Sequence, residues 1–468
     1  MRLSTFGKVL LIAFFSTFLS LIALTAMGQE KWVVVRSSDG AVKLLDVDGS
    51  TDGVEKLKIP STLRAEDIAS MTTYSSDEEI APEEDREYRV EDASFRRVFP
   101  NCRTLVVSQK NLDVLDGLIE PSFNAFPELE AFKVEDDPDA QQNAGLEVID
   151  GVLFVKFLTD EEGFPAGTKF LLKYPPMHGK KRGDADSGDE SPATEYVVPD
   201  STWGVAPNAF RGCDSLKKVV LPKGLNMIGD GAFADCASLS EINFPEGLEW
   251  IESGAFWGCS SLTGEIVLPK SIHDVVSGAF SKTPVKGFVV PDDGEYLKTV
   301  DGVLFSKDIK RLICYPRGGA KEYVVPETVE TIEYSAFADC VALEKVALPK
   351  GLKKISPWAF ASCEALSGEL ALPDGVTEIG ECAFVNCVAL EKVAAPKGLK
   401  KIGPWAFAAC EALSGELALP DGVTEIGEGA FVNCSALSVV SVPANATIAP
   451  NAFKGTKVEE PVRRPVER

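Results

Sequence analysis

A phrase of about 23 residues recurs down the C-terminal two-thirds of this 468-residue chain, and no other feature limits its possible folds so sharply. The marker of each copy is an Ala-Phe pair. Its aromatic members are Phe210, Phe233, Phe256, Phe280, Phe337, Phe360, Phe384, Phe407, Phe431 and Phe453, spaced 22 to 24 residues apart except for one longer gap between Phe280 and Phe337. A repeat this short cannot close a core of its own, so it has to be one coil of a solenoid that buries its apolar edge against its neighbours. The copy that begins at Cys213 shows how. Val219 and Leu221 alternate inward on a short strand while Lys218 and Val220 face out. Pro222 ends that strand without removing a needed ladder bond. Leu225 and Ile228 turn inward on the opposite side, and Ala232-Phe233 fills the centre.

Eight of the eleven Cys share one repeat position, three residues before the Leu that opens a strand: Cys213, Cys236, Cys259, Cys340, Cys363, Cys387, Cys410 and Cys434. Stacking turns them into a ladder of small buried side chains. Rungs about 4.8 Å apart make bridging sterically conceivable. The odd count, and the short loops that pairing would close, favour free thiols. No Cys-x-x-Cys or Cys/His cluster supports a metal, and no cofactor is expected.

The first residues read as an address. Arg2 and Lys8 precede an apolar run from Val9 to Leu24, and Ala26-Met27-Gly28 places small residues where a signal peptidase reads, so residues 1–28 are expected to be a signal peptide cleaved before Gln29. An uncleaved membrane anchor is the rival reading, although the run falls short of the ~18–20 residues a span needs. No membrane span is expected after cleavage, because no second apolar run follows. Net charge is −24, and loss of Arg2 and Lys8 takes it to −26 (−24 less 2). Such a surface repels phosphate backbones, so nucleic acid is not an expected partner.

The chain divides in the sequence as follows. Residues 29–92 lack the phrase: Trp32–Val35 and Val42–Leu45 flank Asp39-Gly40 as a β-hairpin, and an acidic linker runs from Asp77 to Asp92. Residues 93–145 hold degenerate capping copies around Phe99, Cys102 and Leu105 and around Phe126 and Leu129. The array itself is expected over 146–454, with a tail over 455–468. A second motif interrupts it twice. Asp150-Gly-Val-Leu-Phe154 leads to Tyr174-Pro175, and Asp301-Gly-Val-Leu-Phe305 leads to Tyr315-Pro316; the second reads as a short hairpin within a coil. The first carries an insertion over 178–194, rich in Gly, Asp, Lys and Ser and expected to be mobile.

The pattern Ala-Phe-x-x-Cys-x-x-Leu-x-x-Val/Ile-x-Leu-Pro, with its Asp-Gly-Val-Leu-Phe…Tyr-Pro interludes, resembles the BspA-type leucine-rich repeats, also called the Treponema type, over about Ala93 to Thr456. The resemblance implies a leucine-rich-repeat solenoid of short parallel strands, mostly β and irregular, with an N-terminal β-hairpin region. It also implies an exported surface protein of a host-associated microbe, engaged in adhesion and protein binding, with no shared catalytic residues to carry over.

Residues 340–387 and 387–434 differ only at Leu348/Ala395, Ser356/Gly403, Ser362/Ala409 and Cys382/Gly429, so the duplicated unit is two coils. Charge supplies a reason. Lys345, Glu369, Lys392 and Glu416 alternate at one exposed position, and Lys354, Glu378, Lys401 and Glu425 at another. Copying one coil would stack like on like. The outward strand position beside the first set holds Ala347, Ala371, Ala394 and Ala418, a smooth surface. The unusual exposed residues are Trp250, with Met227 one rung earlier, Trp257 after Phe256, and Trp358 and Trp405 before their Ala-Phe pairs. These are candidate anchors for a partner. Their competing role is cover, folded back over coil edges.

Catalysis finds no constellation: the two His, His178 and His273, have no plausible partner nearby in sequence, and no phosphate loop, nucleophile elbow or zinc motif occurs. Arg182-Gly183-Asp184 in the insertion is a three-residue match to integrin ligands, and Asp184, Asp186 and Asp189 lack the Gly and Glu of a calcium loop. The reading is a non-catalytic binder of a protein or extracellular-matrix macromolecule, of unassigned oligomeric state, secreted or held at the cell surface. Its alternatives are a rod that presents residues 29–92 and, less favoured, an extracellular hydrolase.

Overall fold

The Ala-Phe pairs stack as the spacing requires. In a computed structural model, the rings of Phe233, Phe256 and Phe280, and those of Phe337, Phe360, Phe384, Phe407, Phe431 and Phe453, form columns with centroids 4.6–5.6 Å apart and planes within 10° of parallel. Isolated aromatic pairs prefer offset or edge-on contact. Here the backbone ladder spacing imposes the face-to-face arrangement: Phe233 N donates to Ala255 O and Phe337 N to Ala359 O, each one coil on.

The structure describes residues 22–26, 31–38, 41–46, 56–58, 104–108, 129–135, 144–157, 164, 166–178, 192–276 and 278–465. The chain divides into two units, Met1–Lys218 and Val219–Arg468. In the first, β1 (Ile22–Ala26), β2 (Lys31–Ser38), β3 (Ala41–Asp46), β4 (Lys56–Lys58), β5 (Thr104–Ser108) and β6 (Ala131–Glu135) form a sheet in the order β3-β2-β1-β4-β5-β6. β2 and β3 pair antiparallel around Asp39-Gly40, with Ser38 opposite Ala41. β1 falls within the span read as a leader and pairs antiparallel with β2. β5 and β6 run parallel with Leu105 opposite Phe132, and both of those residues are buried. The acidic linker lies outside the described residues.

The first interlude comprises β7 (Ala144–Ile149), β8 (Val152–Phe157) and β9 (Lys169–Lys173). Asp150 and Gly151 take φ of 49° and 82°, the type I′ turn that matches strand twist. β9 returns antiparallel to β8. Beyond β10 (Glu195–Val197) lies β11 (Thr202–Val205), which pairs parallel with β9, Leu171 opposite Val205. Tyr174 then takes the place of the column Phe, its ring 5.0 Å from that of Phe210. Two backbone hydrogen bonds flank the insertion expected at 178–194. Ala193 N donates to His178 O at 2.8 Å, and Lys217 N to Thr194 O at 2.7 Å. Residues 179–191, with Arg182-Gly183-Asp184, lie outside the described residues.

In the second unit each coil contributes two short strands. Thr331–Ile332, Lys354–Ile355, Glu378–Ile379, Lys401–Ile402, Glu425–Ile426 and Thr447–Ile448 stack in parallel register, each Ile inward and each preceding residue outward. The column Lys354, Glu378, Lys401, Glu425 therefore exists, and Lys401 Nζ lies 2.8 Å from Glu425. The other charged column is built of pairs: Lys345 opposite Glu322, 3.0 Å apart, and Glu369 opposite Lys392. The tail does more than trail. Val462–Arg464 pairs parallel with the strand Leu437–Pro443 and covers the last coil.

The cysteines of the ladder are free and buried. They are also more than small apolar fillers. Cys259, Cys363, Cys387, Cys410 and Cys434 each donate Sγ–H to the carbonyl of the column Phe one coil back, at 3.0–3.2 Å. Thr283 stands where that Cys would in its coil, and its hydroxyl makes the same bond to Phe256 O. The position selects a small donor.

Candidate functional site

Between the strand Ile and the column Phe, each coil turns a corner. Two residues there adopt left-handed backbone, two before the Phe and two after it: Ser335 and Asp339 (φ 53° and 59°), Trp358 and Ser362 (61° and 54°), Trp405 and Ala409 (49° and 56°). Asn, Asp and Gly suit that region and Trp does not. Gly231, Gly254, Gly278 and Gly429 hold the first of these positions in other coils.

The second interlude, Leu297–Val300, Val303–Ser306 and Arg311–Cys314, repeats the I′ turn at Asp301 and Gly302 (φ 50° and 76°) and delivers Tyr315 to the column, 4.9 Å from Phe337. It omits the corner. Leu312 pairs with Ile332, yet only two residues separate Leu312 from Tyr315, where four separate Ile332 from Phe337. The ridge of corners is therefore notched. Gly278 comes to lie beside Tyr334 and Ser335, each 3.7 Å from where its Cβ would stand.

The notch is a groove of about 360 Å³ whose walls include Trp257, Tyr334 and Trp358, with Ser253, Ser281, Ser335 and Ser362, Lys282 and Asp339. Lys282 Nζ sits 4.6 Å over the Trp257 ring. Burial pushes the Asp339 carboxyl above its usual range, against the pull of Lys282 and Arg317. The backbone here is spent along the stack: Ser335 N donates to Pro357 O, Trp358 N to Glu381 O, Asp339 N to Ala361 O and Ser362 N to Val385 O.

The five candidate anchors separate into three groups. Trp257 and Trp358 share the groove. Trp405 lies beside Gly429, outside the groove, and is as exposed as Trp358. Met227 and Trp250 pair across neighbouring strands and are half-buried. Trp250 packs on His273 (4.3 Å), which packs on Tyr296 (4.1 Å), so its ring is covered on that side. Tyr334, Lys282 and Asp339 are groove residues that inspection of single motifs misses; aligning the coils on Phe256, Phe280, Phe337 and Phe360 brings them into one set of columns. The outward strand position is less smooth than its Ala residues suggest, because Val267, Val289 and Val324 precede them there and are exposed.

Both His pack against aromatic rings. His178 packs against Tyr174 and Tyr196, and burial lowers its pKa. His273 Nδ1 is buried with no hydrogen-bond partner. Among the described residues no group of three or more His, Cys, Asp or Glu is placed to hold a metal, and no helix is long and apolar enough to cross a membrane.

A family model for the BspA type leucine rich repeat region matches six copies over residues 189–309, 307–369 and 367–462. No curated protein matches the chain. Among solved structures it is similar to a leucine-rich repeat protein from Eubacterium ventriosum (22% identity, 68% of this chain and 96% of that one, TM-score 0.49). It is also similar to the pneumococcal vaccine antigen PcpA (24%, 60% and 70%, TM-score 0.43). A leucine rich cell surface protein from Faecalibacterium prausnitzii is similar at 21% identity over 71% of this chain and 97% of that one, TM-score 0.41. With its repeats matched over more than half its length, the chain belongs to the BspA-type leucine-rich-repeat family.

Proposed function

We propose that this chain is an exported, non-catalytic binding protein of the cell surface, engaged in adhesion, and that it takes its partner at the notch between the Phe280 and Phe337 coils. Leucine-rich repeats serve protein binding in general, and the family supports that role here. One observation carries the assignment to the notch. It gathers Trp257, Tyr334 and Trp358 in one concavity of a scaffold whose stacked backbone cannot rearrange around them. Aromatic anchors in a preformed pocket are where binding energy concentrates. The apolar run from Val9 to Leu24 behind Arg2 and Lys8, read as a leader, motivates the location.

The test is capture from extracellular-matrix and envelope fractions by immobilised protein, native against the variant Trp257→Ala/Tyr334→Ala/Trp358→Gly. Bands retained by the native protein and lost by the variant place the partner at the notch; equal retention moves it elsewhere. N-terminal sequencing of the exported protein checks for a chain that starts at Gln29.

A further inference from the structure

The geometry points to a neutral sugar residue, carried on a glycosylated surface or matrix macromolecule, as the group that fills the notch. This rests on the notch being the binding surface and names its ligand.

The lining excludes other chemistries in turn. A peptide bound by strand addition needs free backbone donors and acceptors. The amides of Ser335, Trp358, Asp339 and Ser362 are already donated to the next coil, so the groove has little main chain to offer. A cation would find its slot taken. Lys282 already stands over the Trp257 ring and pulls on the Asp339 carboxyl, and a second positive charge would be repelled. An anion would meet Asp339, whose carboxyl burial already disfavours as a charge, on a chain of net charge −24. With Lys282 and Arg317 opposing Asp339 and Glu364 at the groove, no net charge is asked of the ligand.

What remains is flat aromatic surface and hydroxyl groups. Tyr334 and Trp358 supply rings against which the C–H face of a pyranose packs, while Lys282 covers a face of Trp257. Ser253, Ser281, Ser335 and Ser362 supply hydroxyls that both donate and accept, as sugar hydroxyls do. No branched aliphatic side chain lines the cavity. A volume of about 360 Å³ admits one or two sugar rings and little more.

The full-length protein is titrated with methyl β-galactoside, methyl α-mannoside and diacetylchitobiose, with sialyllactose as the anionic probe and arginine methyl ester as the cationic one. Trp fluorescence and saturation-transfer NMR follow binding. At least one neutral saccharide is expected to saturate, with Trp358→Gly and Tyr334→Ala each weakening it about tenfold or more and Trp405→Gly leaving it unchanged. Trp358→Gly places Gly at a left-handed position, so loss of fold does not explain its effect, and circular dichroism confirms this. Saturation by the charged probes alone, by no neutral saccharide, or undiminished by those two variants overturns the inference. The partner captured as described above is then deglycosylated enzymatically. Lost capture supports a sugar ligand. Retained capture overturns it while leaving protein binding standing, whereas sugar binding without any captured protein defeats the protein-binding reading alone.

Discussion

Trp405 rests on Gly429: a Cβ built at 429 would stand 2.6 Å from Cδ1 and Nε1 of the indole. In the preceding copy of the duplicated pair the same place holds Cys382, at φ 51°, and Trp358 lines the groove instead. One of the four differences between two nearly identical coil pairs thus changes the residue beside the indole, while both indoles stay exposed to the same degree. Cys382→Gly should give the Trp358 corner the geometry of the Trp405 corner, and because Gly relieves a left-handed non-Gly residue the variant should gain up to about 1 kcal/mol of stability. Gly429→Ala should do the reverse, lowering the midpoint of denaturation and exposing Trp405 to acrylamide quenching. Unchanged quenching in Gly429→Ala contradicts the contact.

The cysteine ladder makes a separate forecast. Cys363 Sγ donates to Phe337 O at 3.1 Å, and Thr283 shows that a hydroxyl can do the same work. Cys363→Ala should cost about 1–2 kcal/mol from the lost donor and the void, and Cys363→Thr should cost less. Equal losses would mean that volume alone matters there. Burial raises the Cys387 thiol to about 12 and that of Cys363 well above its ordinary value, so neither should react with a thiol reagent until the coils unfold.

The column of Phe rings, the inward Ile and Leu and the hairpin interludes are legible in the sequence because each depends on residue type at a fixed spacing. The groove depends on something missing. Its origin is the step from Leu312 to Tyr315, two residues shorter than the step from Ile332 to Phe337, and a deletion leaves no motif behind. Tyr334, Lys282 and Asp339 are ordinary residues at variable positions, and only the notch gives them a common purpose. Trp250 shows the converse. Its indole stands out in the sequence, but His273, itself packed on Tyr296 beside the second interlude, covers one side by a contact that repeat alignment does not register. Likewise Trp358 and Trp405 look equivalent, and are equally exposed, until the notch beside Trp358 is considered.

The charge columns predict how the array tolerates duplication. Lys401 lies between Glu378 and Glu425 in the ladder and bridges to Glu425. Lys401→Glu should lower the denaturation midpoint by placing three carboxylates in succession, and the loss should shrink in high salt as screening grows. Adding Glu425→Lys should recover part of it. A midpoint that ignores both sign and salt would show that the alternation has no energetic role.

Acid titration supplies the last forecast, at Glu252. This half-buried carboxyl has its pKa raised above 4.5, first by burial and then by Asp230 and Asp274. An acid raised in the folded state binds more protons there than in the unfolded chain, so stability falls as pH climbs from the unfolded value through the folded one. The penalty is fully present at neutral pH and is relieved below about pH 4.5. Exposed carboxylates paired with Lys across neighbouring coils act oppositely: Glu330 and Glu344 are lowered by hydrogen bonds to Lys353 and Lys321, and their contribution is lost on acidification. The forecast therefore concerns a difference. Glu252→Gln should raise the denaturation midpoint at pH 7 and leave it nearly unchanged at pH 4, giving the variant a steeper loss on acidification than the native chain. Parallel profiles for the two proteins would show that Asp230 and Asp274 exert no effective pressure on Glu252.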